Sequence, residues 1–375
     1  MKVGIITYHS AYNFGSVLQA YATLQIIKVI GCDPSIINYR IPFQKEYYGL
    51  LGYGKGVKAP LKKIMMLPQL LDRKKRSARY EHFIRQMNLT KEISDPYEAE
   101  QFKNSFDVYV SGSDQIWNLH SNEFIHSGIN YMNPYLLAFT NKKKISYASS
   151  ITNMKDSELV GLKSELEKFT AISVREKSAS LSLSKLLDRK IPIVLDPTLL
   201  ITGKEWISLM PKNVEEYSEK PFILYYSLKN YLETKNDLVS LVNSAAKQGL
   251  VVIALTPLIP LIRIKGLINA VSAGPWEFIN LVNRAKMVVT DSYHGTLFSI
   301  NLKKNFIYLR NKYGDHGLRA SQLLDSLGIK NRIIDETTEI DYNSIMDYTN
   351  VDEILNEKRT ESINYLKIAI LKSKL

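Results

Sequence analysis

The sequence predicts an α/β protein of two domains, each a parallel sheet covered by helices on both faces. Three observations carry that prediction. Short apolar runs rich in β-branched or aromatic residues alternate with helical stretches, the pattern of parallel sheets. The runs come in two successive sets, one in each half of the chain. The chain also has 375 residues, 45% of them hydrophobic, which is more than one core usually organises.

In the first set, a strand over 2–8 leads through a loop into a helix over 16–30. Gly31 stops that helix because glycine accepts left-handed backbone. A second strand is expected at 35–39, followed by a basic helical region, 57–88, broken at Pro68. Strands at 106–111 and 144–149, a helix over 156–168, and strands at 171–174 and 191–195 follow, and Asp196-Pro197 marks a break. The second set comprises 222–227, 251–255, 287–290 and 306–309. Gly274-Pro275 opens a helix over 276–285, with proline at an early helical position. The expected organisation is an N-terminal domain over 1–196, a C-terminal domain over 197–350, and a final helix, 351–375, packing back across the junction.

One cysteine, Cys32, excludes an intrachain disulfide and a cysteine metal cluster, and fits a reducing cytosol. The N-terminus enters a strand without a signal-peptide layout. The longest apolar tract, 250–262, contains Pro257 and Pro260 and is too short to span a bilayer. The expectation is a cytoplasmic protein, soluble or peripheral at the inner face of the plasma membrane.

The net charge is +12, and residues 55–85 hold ten basic side chains against two acidic ones. Lys55, Lys58, Lys62, Lys63, Arg73, Lys74, Lys75, Arg76, Arg79 and Arg85 interleave with Leu61, Ile64, Met65, Leu67, Leu70 and Leu71. That pattern suits either an amphipathic segment lying on an anionic membrane or a solvated helical face. No nucleic-acid recognition module accompanies the charge, so no nucleic-acid partner is expected.

Four turns lie where strands should end, the edge at which open α/β sheets bind ligands. In the stretch 289–296, Asp291, Ser292, His294, Gly295 and Thr296 follow a strand and open a helix. The helix start suits an anion, and His294 can exchange a proton near neutral pH. A capped helix with a packed histidine is the competing account. Asn13, Gly15 and Ser16 occupy the first turn, as an anion or sugar cradle or as a plain cap. Ser113, Asp114, Gln115 and Trp117 follow a strand at 106–111. There Asp114 and Gln115 can bond hydroxyls and Trp117 can offer a face to a sugar ring, or the tryptophan is simply buried. Arg175 ends another strand, where its fork suits a carboxylate or phosphate, unless it pairs with Glu176.

Together these motifs resemble the polysaccharide pyruvyltransferase family. The matching stretches are Asn13-Phe14-Gly15-Ser16-Val17-Leu18-Gln19-Ala20-Tyr21, Gly112-Ser113-Asp114-Gln115-Ile116-Trp117-Asn118, Ser173-Val174-Arg175-Glu176, Leu195-Asp196-Pro197-Thr198-Leu199-Leu200 and Thr290-Asp291-Ser292-Tyr293-His294-Gly295. They keep the family's order over roughly residues 3 to 330. The resemblance implies two Rossmann-like domains facing a cleft, as in B-type glycosyltransferases. It implies transfer of a pyruvyl group from phosphoenolpyruvate to two hydroxyls of a sugar, forming a pyruvate ketal in cell-surface polysaccharide or capsule synthesis.

By the same resemblance, His294 is catalytic and Arg175 binds phosphoenolpyruvate. Asp291 is expected beside His294 as a catalytic partner that orients the imidazole, or as a helix cap, and Ser292, Gly295 and Thr296 are expected to bind the donor on the C-terminal side. Asn13, Gly15, Ser16, Ser113, Asp114, Gln115 and Trp117 face the acceptor, which is expected to be lipid-linked. Many members carry arginine directly after the motif aspartate, where this chain has Ser292. Lys303, Lys304, Arg310 and Arg319 are the candidates to replace that charge. The chemistry needs no hydride carrier, and no metal-ligand cluster is legible, so neither cofactor nor metal is expected. A nucleotide-sugar glycosyltransferase and a non-catalytic glycan-binding protein remain as alternatives on the same frame.

Overall fold

The computed structural model describes residues 1–50, 64, 66–152, 154–229, 231–255, 264–310, 318–335, 337, 340–342 and 344–372. The chain divides into two compact units. One comprises Met1–Tyr48, Ile84–Ile201 and Asn356–Leu375, and the other Gly49–Phe83 and Thr202–Leu355.

The first unit is built on four parallel strands, β1 (Lys2–Ile6), β2 (Asp33–Ile36), β3 (Val108–Ser111) and β4 (Lys143–Ser146), in the order β2-β1-β3-β4. The strands expected at 171–174 and 191–195 are reduced to isolated bridges, Ile145 to Ala171, Ser149 to Val174 and Val174 to Ile193. Serine hydroxyls explain part of this: Ser173 N–H donates to the Ser146 hydroxyl at 3.3 Å rather than into a ladder. The helix expected over 156–168 breaks into Asp156–Leu159, a 3₁₀ turn Val160–Leu162 and Lys163–Leu166, with Gly161 at the break. Helix Phe14–Val29 follows β1 as expected and is buried along most of its length.

The second unit carries six parallel strands, β5 (Phe222–Tyr226), β6 (Val251–Leu255), β7 (Leu267–Asn269), β8 (Met287–Thr290), β9 (Phe306–Leu309) and β10 (Ile333–Ile334), in the order β10-β9-β8-β5-β6-β7. Alternation along the strands sorts the residues by face. Ile223, Tyr225, Val252, Ala254, Met287, Val289, Ile307 and Leu309 share one face with Leu238, Leu241, Val242 and Ala245 of helix Tyr231–Lys247. Those helix residues recur at three and four positions, the spacing of a single helical stripe. On the opposite face Tyr226 meets Phe278 at 5.3 Å, and Phe278 meets Phe298 at 5.4 Å. The edge strands β7 and β10 and helix Tyr231–Lys247 have no counterpart in the sequence reading. Two- and three-residue, half-buried edges give little periodic signal.

The segment 49–83 belongs to the second unit rather than to an N-terminal domain over 1–196. Its helix, Leu70–Ile84, is tied there through Arg79, which pairs with Glu215 at 2.7 Å and Glu277 at 3.2 Å. Phe83 also meets the Trp276 ring at 5.0 Å. The final helix, Thr349–Leu371, has its residues up to Leu355 in the second unit and those from Asn356 in the first. In the first unit Arg359 Nε donates to Leu199 O at 2.6 Å and Leu195 N–H donates to Ser362 Oγ at 3.0 Å.

Each sheet reverses its strand order once. In the first unit the reversal lies between β1 and β3, and in the second between β5 and β8. Ligand crevices of open α/β sheets form at these points, beyond the carboxyl ends of the strands.

Candidate active site

The 291–296 turn sits at the reversal of the second sheet. Ser292 is the N-cap of helix Tyr293–Asn301 and accepts from Gly295 N–H at 3.3 Å. Ser292 N–H in turn donates to Thr290 Oγ1 at 3.0 Å. Thr296 bonds back to Ser292 O through both its amide, at 3.0 Å, and its hydroxyl, at 3.1 Å. Gly295 allows a close approach: a Cβ there would lie 2.4 Å from Thr290 Oγ1 and 2.8 Å from the Tyr226 ring. Ser292, Gly295 and Thr296, expected to touch the donor, are thus buried parts of the frame that holds the turn.

Asp291 does not cap the helix; Ser292 has that role, being one residue closer to the amides. Asp291 instead crosses to the end of β5. It accepts from Ser227 Oγ at 2.7 Å and from Leu228 N–H at 3.2 Å, and Lys229 Nζ stands 3.6 Å away. Burial raises its carboxyl above the usual carboxylate range, against the opposing pull of Ser227, Lys229 and the Leu228 amide. His294 is 9% exposed, and its ring lies edge-on to Tyr293 at 5.4 Å. Arg319 lies over the other ring partner, its guanidinium carbon 5.3 Å from the Tyr293 centroid.

The turns of the first unit meet at the other reversal. Asn13 caps helix Phe14–Val29 by accepting from Gly15 N–H at 2.9 Å and Ser16 N–H at 3.3 Å. Ser16 Oγ donates to Asp114 Oδ2 at 2.6 Å, linking the ends of β1 and β3. Thr7 Oγ1 donates to Ser113 O at 2.9 Å beside Gly112, where a Cβ would lie 2.8 Å from Thr7 Cβ. Asp114 has φ +77°, a left-handed backbone uncommon for aspartate. Among the acceptor-side candidates Asn13 and Gln115 stay partly exposed.

Two expectations are corrected here. Trp117 is not a platform for a sugar ring: it is fully buried, donates through Nε1 to Tyr135 O at 3.2 Å, and lies edge-on to Phe169 at 5.6 Å. Its large apolar area is used in the core beside β3. Arg175 is not presented as an open anion fork. Its side chain is 1% exposed, and it pairs with Asp196 at 2.9 Å, Asp114 at 3.4 Å and Glu176 at 3.6 Å. Three carboxylates within ion-pair range turn the guanidinium inward.

Ser227 and Lys229 were missed. Their signal was available, because 222–227 reads as a strand and strand ends are where ligands bind. His9 was also missed; its ring is fully buried, with Nε2 2.9 Å from Asn38 Oδ1. Among the described residues no group of three or more His, Cys, Asp or Glu side chains is placed to hold a metal ion. Among them, too, no helix is long and apolar enough to cross a membrane.

Two parallel sheets, each with a polar turn at its reversal, define a two-domain α/β protein of the B-type glycosyltransferase kind. Solved structures agree on that fold. The UDP-GlcNAc 2-epimerase from Methanocaldococcus jannaschii matches with a TM-score of 0.51 at 14% identity, covering 100% of this chain and 94% of its own. A putative UDP-N-acetylglucosamine 2-epimerase from Listeria monocytogenes matches with a TM-score of 0.52 at 10% identity, covering 98% and 90%. No curated protein matches the chain in sequence. The family is nonetheless defined: residues 13–313 match the polysaccharide pyruvyl transferase family, and the chain belongs to it.

Proposed function

We propose that the protein transfers the pyruvyl group of phosphoenolpyruvate to two hydroxyls of a sugar, forming a cyclic ketal and releasing phosphate. The carrying observation is the β8 turn at the sheet reversal, where His294 stands on a helix start whose geometry is fixed by Ser292 and Gly295. Family membership supplies the reaction class.

In the first step one sugar oxygen bonds to the central carbon of phosphoenolpyruvate while its methylene takes a proton and becomes a methyl group. The second hydroxyl oxygen then bonds to the same carbon as the phosphate C–O bond breaks. The two hydroxyl protons end on the methyl group and the departing phosphate, so the exchange is balanced. His294 is the group assigned to move them, since an imidazole at the helix start can both accept and donate a proton. Asp291 acts as a fixed polar wall of the turn, anchored by Ser227. On the acceptor side Asn13 and Gln115 are assigned to sugar hydroxyls, with Ser16, Ser113 and Asp114 holding the turn behind them.

The test is phosphate release from phosphoenolpyruvate that depends on a sugar acceptor, with a product heavier by pyruvate less one water. Release of a nucleoside diphosphate from a nucleotide sugar instead would replace this reading with glycosyl transfer.

The basic segment supports a second assignment, contact with an anionic membrane that carries a lipid-linked acceptor in capsule or exopolysaccharide synthesis. Lys55, Lys58, Leu61, Lys62, Lys63 and Met65 lie outside the described residues. Beyond them, Ile64, Leu67 and Leu71 are 62%, 52% and 79% exposed, Lys74 is exposed beside them, and Lys75 is exposed but pairs with Glu215 at 3.0 Å. Arg73, Arg76 and Arg79 are engaged within the unit. Arg73 donates to Leu50 O at 3.1 Å, and Arg76 lies 5.4 Å from the Tyr80 ring centroid. The charge available to a surface is therefore less than the sequence count.

A further inference from the structure

We propose that the Glu123 carboxylate accepts a hydroxyl of the sugar acceptor and directs the first unit toward uncharged sugars. This deepens the pyruvyl-transfer reading and rests on its acceptor. Ketal formation needs two hydroxyls held together, and each hydroxyl both donates and accepts hydrogen bonds. The side chains already at the acceptor turns have their oxygens engaged. Asn13 Oδ1 is taken by the Gly15 and Ser16 amides, at 2.9 and 3.3 Å. Gln115 Oε1 accepts from Asn118 Nδ2 at 2.9 Å. Asp114 accepts from Ser16 Oγ at 2.6 Å, from Gln115 N–H at 2.9 Å and from Arg175 at 3.4 Å. These turns therefore offer the sugar donors, and its own hydroxyl proton needs an acceptor from elsewhere.

Glu123 supplies that acceptor. It stands, half-buried, on the short helix Asn122–Ser127 that follows the turn of Asp114 and Gln115. Ser121 connects the two: its amide donates to Asn118 O at 3.0 Å, and its hydroxyl lies 3.4 Å from Tyr8 OH, beyond the end of β1. Glu123 Oε1 accepts from Gln44 Nε2 at 3.3 Å, and Gln44, itself buried, accepts from Ser10 Oγ at 3.5 Å. Burial raises the Glu123 carboxyl above the usual range; Asp114 adds to the rise, and its own amide, Gln44 and Ser121 oppose it. Every group that opposes the rise is neutral, and no cation among the described residues offsets the charge. A carboxylate has about four lone-pair positions, which leaves room for a hydroxyl. Tyr135 marks the same place independently. Its hydroxyl is buried without a hydrogen-bond partner among the described residues, on a ring edge-on to Tyr8 at 5.2 Å. Burial first, and then Tyr39, Glu123 and Asp114, raise this phenol, so the hydroxyl lies within electrostatic reach of both carboxylates. A buried hydroxyl left unpaired is costly, and a bound ligand or water is one way to complete it. An uncompensated carboxylate accepts from neutral hydroxyls and repels a second carboxylate, which disfavours acidic sugars.

The experiment measures sugar affinity by calorimetry for the full chain and its Glu123→Ala, Glu123→Gln and Glu46→Gln variants. The probes are the methyl hexosides of glucose, galactose and mannose, with methyl glucuronide as the anionic one. Phosphoenolpyruvate affinity is titrated separately, and a thermal melt reports folding. Glu123→Ala is expected to weaken hexoside binding about tenfold or more, the scale of a lost charge-assisted contact, with phosphoenolpyruvate affinity unchanged. Glu123→Gln is expected to recover part of that loss and to shrink the preference for hexoside over glucuronide severalfold. Glu46, exposed on helix Pro42–Tyr47, serves as the control, and its change to glutamine is expected to alter nothing. Unchanged hexoside affinity in a folded Glu123→Ala protein overturns the inference, as does a wild type that binds none of the hexosides. An equal loss of hexoside and phosphoenolpyruvate affinity also overturns it, because disturbed packing moves both. If Glu123→Ala does not fold, an unchanged preference in Glu123→Gln overturns it. If hexoside affinity depends on Glu123 but no sugar yields a ketal, the pyruvyl reading fails and the sugar site stands.

Discussion

Ser227 Oγ donates to Asp291 Oδ2 at 2.7 Å, joining the ends of β5 and β8 where the second sheet reverses its strand order. The bond pins a buried carboxylate three residues before His294. It also leaves helix capping to Ser292, so the two polar residues after β8 have separate tasks.

His294→Ala is expected to lower turnover by about a hundredfold or more, the usual scale for a positioned acid or base. The melting temperature should stay near that of the wild type, because Ser292 and Gly295 fix the turn. Acceptor-dependent phosphate release and a thermal melt check both halves. Near-normal turnover in a folded variant would falsify the assignment.

Asp291 makes stability depend on pH in a defined direction. Its folded carboxyl is raised, so the folded state favours the protonated form. That contribution is complete below the ordinary aspartate value of about 3.9 and is lost as pH rises through the raised value. Asp291→Asn has no such loss, so its melting temperature relative to wild type should climb as pH rises from about 4. A flat difference across that range removes burial as the controlling influence.

Arg175→Ala is expected to destabilise the first unit by about 3–5 kcal/mol, because it strands buried carboxylates on Asp196, Asp114 and Glu176. Denaturant titration measures the loss. A variant that keeps its stability and loses only phosphoenolpyruvate affinity would return Arg175 to the donor site.

Gly295→Ala is expected to cost about 1–3 kcal/mol, since its Cβ would lie 2.4 Å from Thr290 Oγ1. Thr290→Ser leaves that oxygen in place and should not relieve the loss; Thr290→Ala should relieve part of it. Melting the single and double variants decides between a local clash and a general weakening of the helix.

Replacing Leu71, Lys74 and Lys75 by glutamine is expected to release the protein from anionic vesicles at low salt, with activity on a short soluble acceptor retained. Each basic residue near such a surface contributes about 1 kcal/mol and is screened by salt. Co-sedimentation of wild-type protein with anionic and neutral vesicles tests the premise, and equal behaviour on both ends it.

The sequence by itself determined the α/β class, four of the six strands in the second sheet, and the places where chemistry could sit. Strands such as β6, β8 and β9 are continuous apolar runs, and such a run is legible wherever both faces of a strand are buried. The turns at Asn13, Asp114 and His294 were legible for a related reason: polar residues follow buried strands there, and the ends of parallel strands are where ligands gather. Only the tertiary structure decided what each polar side chain meets. Arg175 reads as an open fork until Asp114 and Asp196, sixty-one and twenty-one residues away, close on it. Trp117 reads as a sugar platform until Phe169 and Tyr135 enclose it. Local pattern is written in neighbouring residues, whereas the charge and contacts of a site are set by residues far apart in the chain, which a single sequence does not pair.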